Sequence, residues 1–146
     1  TRSLVDFLSV EKVVSLGIKF YSGINQRFSQ PKIYQDFPIL LTNEKVLLFD
    51  DVADTGKSFQ FTREHLQKNK VKSITTASLL YKPHSIFKPY YYGYQTSAWI
   101  IFPYEVIEAM TFLADKWKKQ GLSLHTIKAR FLKFDFPPKI IKYYAR

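Results

Sequence analysis

Thirteen consecutive residues constrain this chain more than any others: Val46-Leu47-Leu48-Phe49-Asp50-Asp51-Val52-Ala53-Asp54-Thr55-Gly56-Lys57-Ser58. The apolar run Val46–Phe49 stops abruptly at two aspartates, and a helical pattern follows over Ser58–Asn69. A short continuous apolar run of this kind predicts a strand buried on both faces. Ser73–Tyr81 predicts a second buried strand. Strand, turn, helix and strand make a βαβ unit, which requires an at least partly parallel sheet. Ligands of open α/β sheets bind at the carboxyl ends of the strands, where Asp50, Asp51 and Asp54 stand.

The chemistry of that turn can be read from its residue types. Thr55-Gly56-Lys57-Ser58 can present several backbone amides at a helix N-terminus, where the dipole also favours an anion, and a phosphate fits it. An ATP-type phosphate loop needs a glycine five residues before Gly56, and that position holds Asp51. Two carboxylates there would repel a polyphosphate. Paired acids can instead accept hydrogen bonds from neighbouring hydroxyls of a ribose, directly or with magnesium. An anion nest, a carboxylate pair and a third acid together describe a site for a phosphorylated ribose.

The rest of the chain predicts an α/β domain with a helical C-terminal addition. A helix end is expected over Ser3–Glu11, with Leu4, Phe7 and Leu8 on one face, then a strand over Val13–Tyr21. Ser22–Pro38, with Gly23, Asn25, Ser29, Pro31 and Pro38, reads as a long mobile loop with a short strand near Ile33. Trp99–Phe102 reads as a further strand. Val106, Met110, Leu113 and Trp117 form one face of a helix stopped near Gly121. A last helix starts with Ser123 as its cap, turns Leu124, Ile127, Phe131 and Phe134 inward, and ends at Pro137-Pro138.

Composition excludes several classes. At 146 residues, 46% of them apolar, the chain has room for one real core and is not disordered. No apolar run approaches the roughly 20 residues of a membrane span. With no cysteine there is no disulfide framework or thiolate metal site, which points to a reducing, cytoplasmic setting. The net charge of +10 is concentrated: Asp115–Arg146 holds nine basic and two acidic residues. A basic tail on a nearly neutral body argues against nucleic acid as the partner and for a solvated or oligomer-forming surface. His65, His84 and His125 are too scattered to suggest a metal site.

Leu48-Phe49-Asp50-Asp51-Val52-Ala53-Asp54-Thr55-Gly56-Lys57-Ser58 closely resembles the phosphoribosyl-diphosphate signature of type I phosphoribosyltransferases. Downstream, Leu80-Tyr81-Lys82-Pro83, Tyr91-Tyr92 and Trp99-Ile100-Ile101-Phe102-Pro103-Tyr104-Glu105 are similar to the purine-binding end of 6-oxopurine enzymes (hypoxanthine, guanine or xanthine), especially archaeal ones. The resemblance covers residues 1–105. It implies a mainly parallel sheet flanked by helices and a flexible hood over Ser22–Pro38. The implied reaction transfers a phosphoribosyl group from phosphoribosyl diphosphate to N9 of a 6-oxopurine, as in purine salvage.

By the same resemblance, Asp50 and Asp51 grip the ribose hydroxyls. Asp54 is the general acid/base near the purine, and the amides of Asp54, Thr55, Gly56, Lys57 and Ser58 hold the 5-phosphate. Magnesium bridges diphosphate and ribose. Lys82 matches the lysine that donates to the 6-oxo group, Trp99 the aromatic that stacks on the purine, and the Ile100 backbone the reader of the ring edge. A surface lysine and a core tryptophan are the alternative readings. Lys19 matches a basic residue near the diphosphate, or is a solvated strand lysine. Glu105 matches an acid near a second magnesium, beside Asp50 and Asp51, or is a helix-start glutamate.

Two departures accompany the resemblance. The family's diphosphate-binding loop precedes the helix to which Thr1–Phe7 corresponds, so the front of the core is expected to be missing here. Tyr90 stands where relatives often carry an acid. The expected organisation is a phosphoribosyltransferase core over 1–105 with a basic helical extension, 106–146, packed on the same domain. A homodimer or homotetramer is expected, with the aromatic-rich C-terminal segment as contact. A non-catalytic, nucleotide-sensing regulatory domain is the alternative function.

Overall fold

The computed structural model describes residues 2–23 and 26–144. The chain falls into two compact units, Thr1–Ser97 and Ala98–Arg146. The first holds a helix α1 (Arg2–Phe7), strands β1 (Gly17–Gly23), β2 (Gln26–Gln35) and β3 (Lys45–Ala53), a helix α2 (Lys57–Lys68), and strands β4 (Ser73–Tyr81) and β5 (Tyr91–Gln95). Strands β3, β4 and β5 form a parallel sheet in that order, with Leu48 beside Thr76 and Asp50 beside Ser78. The βαβ unit expected from the acid-turn segment is therefore present, with α2 as its crossover.

Three expectations for this unit are corrected. β3 is not buried on both faces. It lies at one edge of the sheet, only Ala53 is fully buried, and Leu47 is open to solvent. A cavity of about 650 Å³ runs beside it, lined by Leu4, Leu8, Ile18, Val46, Leu48 and Leu66 among others. α1 ends at Phe7, short of the expected Glu11, with Leu4 half-buried and Phe7 and Leu8 exposed. Most of Ser22–Pro38 is strand and not loop. The short strand expected near Ile33 is part of the ten-residue β2, which pairs antiparallel with β1, through several register shifts, from Gly17 opposite Gln35 to Gly23 opposite Gln26. Only 36–38 follow it without strand structure. Residues 24 and 25 of that stretch lie outside the described residues. Backbone pairing can hold polar, proline-containing sequence that shows no period-2 apolar pattern, which is why composition alone read as loop.

The hairpin is fastened at its base. His65 Nε2 of α2 lies 2.8 Å from Asp36 Oδ1, and the Phe37 ring stacks on the His65 ring at 5.6 Å. The bond from His65, then the Phe37 amide at 2.8 Å, hold the Asp36 carboxyl below its ordinary range.

The second unit carries α3 (Val106–Lys119), α4 (Leu124–Lys133) and α5 (Pro138–Tyr144). Its core joins Ala109, Met110, Ala114, Trp117, Ile127, Phe131, Phe136 and Ile141. α3 ends as expected at Gly121, whose φ of 82° lets the amides of Gly121 and Leu122 bond the carbonyls of Lys118 and Trp117 at 2.9 and 3.1 Å. Ser123 caps α4, its hydroxyl accepting the Thr126 amide at 3.2 Å.

Here too the structure amends the reading. Ile127 and Phe131 are buried, but Leu124 and Phe134 are exposed. α4 stops before the prolines, with Asp135 at φ 59°, and Pro138 begins α5 instead of ending a helix. Proline suits a first helical position because its missing N–H has no intrahelical acceptor there. Trp99–Phe102 forms no strand; the Glu105 amide closes a turn on the Phe102 carbonyl at 2.9 Å. No helix among the described residues is long and apolar enough to cross a membrane.

Phe131 touches the rings of Trp117 and Phe136 at 5.1 Å each and is 1% exposed. Phe131→Ala should therefore cost about 3–5 kcal/mol of stability in this unit. Denaturant unfolding followed by tryptophan fluorescence checks it; a loss under about 1 kcal/mol would contradict the packing described.

Candidate active site

The site begins where β3 runs out. Asp50 and Asp51 are half-buried near its carboxyl end, and Asp50 Oδ1 accepts the Asp51 amide at 3.0 Å. Burial raises the Asp50 carboxyl above its ordinary range; the bond from the Asp51 amide opposes this, and the charge of Asp51 adds to it. Beyond them the chain must turn sharply into α2. Gly56 makes the turn at φ 79°, a conformation that costs glycine nothing and other residues about 1 kcal/mol or more.

Conformation is only half of the requirement for glycine. A Cβ at Gly56 would lie 2.5 Å from Ser85 Oγ and 2.6 Å from the Phe87 nitrogen. The segment after β4 clasps the turn from behind: the Lys82 amide bonds the Ala53 carbonyl at 3.1 Å and the Ile86 amide bonds the Thr55 carbonyl at 3.1 Å. Ser85 Oγ donates to the Phe87 carbonyl at 2.9 Å, and Phe87 stacks on buried Phe59 of α2 at 5.3 Å. Ala53, Phe59 and Tyr81 make a small core directly under the turn.

This support leaves the start of α2 facing outward. Gly56 at the cap position has no side chain to offer, and among the described residues the first amide, that of Lys57, is met only weakly, by Thr55 Oγ1 at 3.5 Å. Thr55 and Lys57 are exposed and Ser58 is half-buried. Unsatisfied N–H groups with the positive end of a helix dipole behind them suit a phosphate. Asp54 is exposed at the head of this turn, and His84 Nε2 stands 3.0 Å from its Oδ1.

Lys82 is brought to the acid turn by the backbone bond to Ala53, and at 6% exposure it is not a surface lysine. Lys19 is exposed on β1, its ammonium 5.0 Å above the Tyr34 ring. Trp99, Ile100 and Glu105 belong to the second unit. Trp99 is 60% exposed and meets Phe112 edge-on at 6.0 Å, so it is not a core residue. Ile100 is half-buried. Glu105 sits at the start of α3 and its Oε2 accepts the Phe102 amide at 3.3 Å.

His84 is the residue that sequence reasoning passed over. It lies two positions beyond Lys82 in a loop, and the only signal was that proximity to a candidate base-binding lysine. For a metal, no group of three or more His, Cys, Asp or Glu among the described residues could hold an ion, so the protein alone builds no closed cage there. The donor set at Asp50 and Asp51 is two hard carboxylates. That fits magnesium of the kind that draws its remaining ligands from phosphate oxygens and water.

The phosphoribosyl transferase domain family matches residues 2–108. The hypoxanthine-guanine phosphoribosyltransferase of Staphylococcus epidermidis is 30% identical over 84 residues, covering 58% of this chain and 42% of that protein. The Staphylococcus aureus enzyme of the same name is 29% identical over the same shares. The chain thus spans under half the length of the curated relatives it matches. Among solved structures, a purine phosphoribosyltransferase from Pyrococcus horikoshii is similar at a TM-score of 0.63 with 32% identity, covering 70% of this chain and 66% of that one. Hypoxanthine phosphoribosyltransferase from Trypanosoma cruzi, solved with IMP, shares the fold at a TM-score of 0.58 and 20% identity, covering 68% and 53%.

A carboxyl raised by burial holds its proton more tightly in the folded chain. Its contribution to stability is therefore lost as pH rises from the unfolded value through the folded one. At neutral pH Asp50 thus supports the fold less than it does at acid pH. Asp50→Asn keeps the acceptor for the Asp51 amide and should raise Tm, by about 2–4 °C for each kcal/mol relieved. Calorimetry at neutral pH checks this; a lower Tm would contradict the burial argument.

Proposed function

The chain belongs to the phosphoribosyl transferase domain family, with its type I α/β fold, and on that premise we propose that it transfers the 5-phosphoribosyl group from phosphoribosyl diphosphate to N9 of a 6-oxopurine. The products are a purine nucleoside monophosphate and diphosphate. The observation that carries the reading is the pairing of an acid strand end with an uncapped helix start, locked by a glycine turn with no room for a side chain.

In this reading the amides of Thr55 to Ser58 anchor the 5-phosphate and so fix the distance from the sugar to everything else. Asp50 and Asp51 accept from the ribose hydroxyls and would hold magnesium, which when bound neutralises charge on the departing diphosphate. As the bond from C1 to the diphosphate oxygen breaks and the bond from C1 to N9 forms, positive charge builds on the ribosyl carbon. The carboxylates beneath it stabilise that charge. The purine loses a proton in the same process, and in this reading Asp54 accepts it. His84 Nε2, 3.0 Å from Asp54, positions that carboxylate between turnovers.

At the base end, Lys82 has only donors to offer, which matches a 6-oxo group and mismatches a 6-amino group. Its burial strengthens that preference, because a buried ammonium set against another donor is costly. Trp99, carried by the second unit, is exposed and has an aromatic face free to stack on a ring. Lys19 supplies charge for the diphosphate.

The direct assay mixes protein, Mg²⁺, phosphoribosyl diphosphate and each purine, and measures diphosphate release. A nucleotide sensor would release none. Asp54→Asn should lower kcat by about 100-fold or more, the usual size of a general acid/base contribution, while nucleotide binding survives. His84→Ala should lower kcat less, by about threefold to tenfold, and shift the pH profile. Unchanged turnover in Asp54→Asn would contradict the assigned role.

A further inference from the structure

We propose that a groove between α2 and the start of β5 is a second binding site, which takes a nucleoside phosphate independently of the acid turn. The groove is open to solvent, holds about 490 Å³ and is lined by Arg63, Thr75, Phe87, Lys88, Tyr90 and Tyr91 among others. That volume suits one small ligand. Thr75 lies in the amino half of β4, whereas Lys82 follows its carboxyl end. At ~3.3 Å per strand residue the two are roughly 20 Å apart, so one molecule of this size does not fill both sites.

Charge selects the ligand class. No acid lines the groove, and neither Arg63 nor Lys88 pairs with a carboxylate among the described residues. Two cations from different segments and the exposed Thr75 all line the groove, and such a lining favours an anion. The guanidinium fork of Arg63 matches two oxygens of a phosphate. The Lys88 ammonium lies 5.5 Å from the Tyr92 ring centroid, a contact that an anion in the groove would compete with.

Aromatic surface selects the rest of the ligand. Tyr90 and Tyr91 meet edge-to-face at 4.7 Å, yet are 75% and 59% exposed. An open ring face next to two cations is what a base with a phosphate attached requires. The segment that carries the rings is held in place beforehand. The Tyr90 amide bonds the buried Thr76 hydroxyl at 2.9 Å, and Phe87 is pinned on Phe59. A short groove with a single aromatic pair fits one nucleotide better than a nucleic-acid strand, which needs a continuous basic track.

Calorimetric titration of the full chain with GMP tests the proposal. Two equivalents are expected. Arg63→Glu with Lys88→Glu should weaken one of them at least tenfold, and Asp50→Asn with Asp51→Asn should weaken the other. A single equivalent that the Arg63/Lys88 variant leaves unweakened, or two unweakened equivalents in that variant, overturns the second site and leaves the acid turn untouched. A single equivalent lost in that variant supports the second site and counts against the acid turn instead. If charge reversal prevents folding, Arg63→Gln with Lys88→Gln is used. Photolabelling with 8-azido-GMP gives an independent reading: adducts on Tyr90 or Tyr91 support the site, and labelling confined to other residues overturns it. A short single-stranded RNA that displaces GMP from the groove at lower concentration would overturn the assignment to a free nucleotide.

Discussion

One close approach organises the catalytic end of this molecule: the backbone at Gly56 lies directly against Ser85 and Phe87, with no space for a Cβ. That contact sets the angle at which β3 becomes α2, and so where the first amides of α2 point. The backbone bonds from Lys82 to Ala53 and from Ile86 to Thr55 make the same joint from the other side. The turn that would hold phosphate and the lysine that would read the base are thus joined by one set of short contacts. Rigid backing of this kind is what a site needs when its chemistry depends on a sugar carbon and a ring nitrogen meeting at a defined distance.

The acid pair follows a different logic. Asp50 is half-buried beside a second carboxylate, and its charge is held against the preference of its surroundings. A fold selected for stability alone would place a neutral residue there. Burial strengthens the attraction between such a carboxylate and a hydroxyl, a cation or a developing positive charge, because little water competes. Stability lost in the free protein is compatible with a tighter hold on a ligand. The link runs from local electrostatics to function.

What could be read without coordinates follows from local physics. The βαβ unit was legible because an apolar run, a glycine turn, an amphipathic helix and a β-branched strand are each signalled within a few residues. Gly121 and Ser123 marked a helix end and start for the same reason. The strand β5 was not legible: Tyr91–Gln95 is exposed throughout and is held by pairing with β4, which local pattern does not encode. The edge position of β3 was equally hidden, since an apolar run looks the same in the middle of a sheet and at its rim. Trp99–Phe102 misled in the opposite direction, with β-forming residues but no partner strand among the described residues. The Asp54–His84 pair joins positions 30 residues apart, and only the loop after β4 could bring them together.

Binding of a phosphorylated ribose through the amides that open α2 is the central claim. The most direct measurement is a backbone amide NMR titration with ribose 5-phosphate. The amides of Thr55, Gly56, Lys57 and Ser58 should move together and saturate, and those at the start of α3 and α4 should not. Saturating ligand that leaves these four resonances in place, while shifting amides elsewhere, would contradict it.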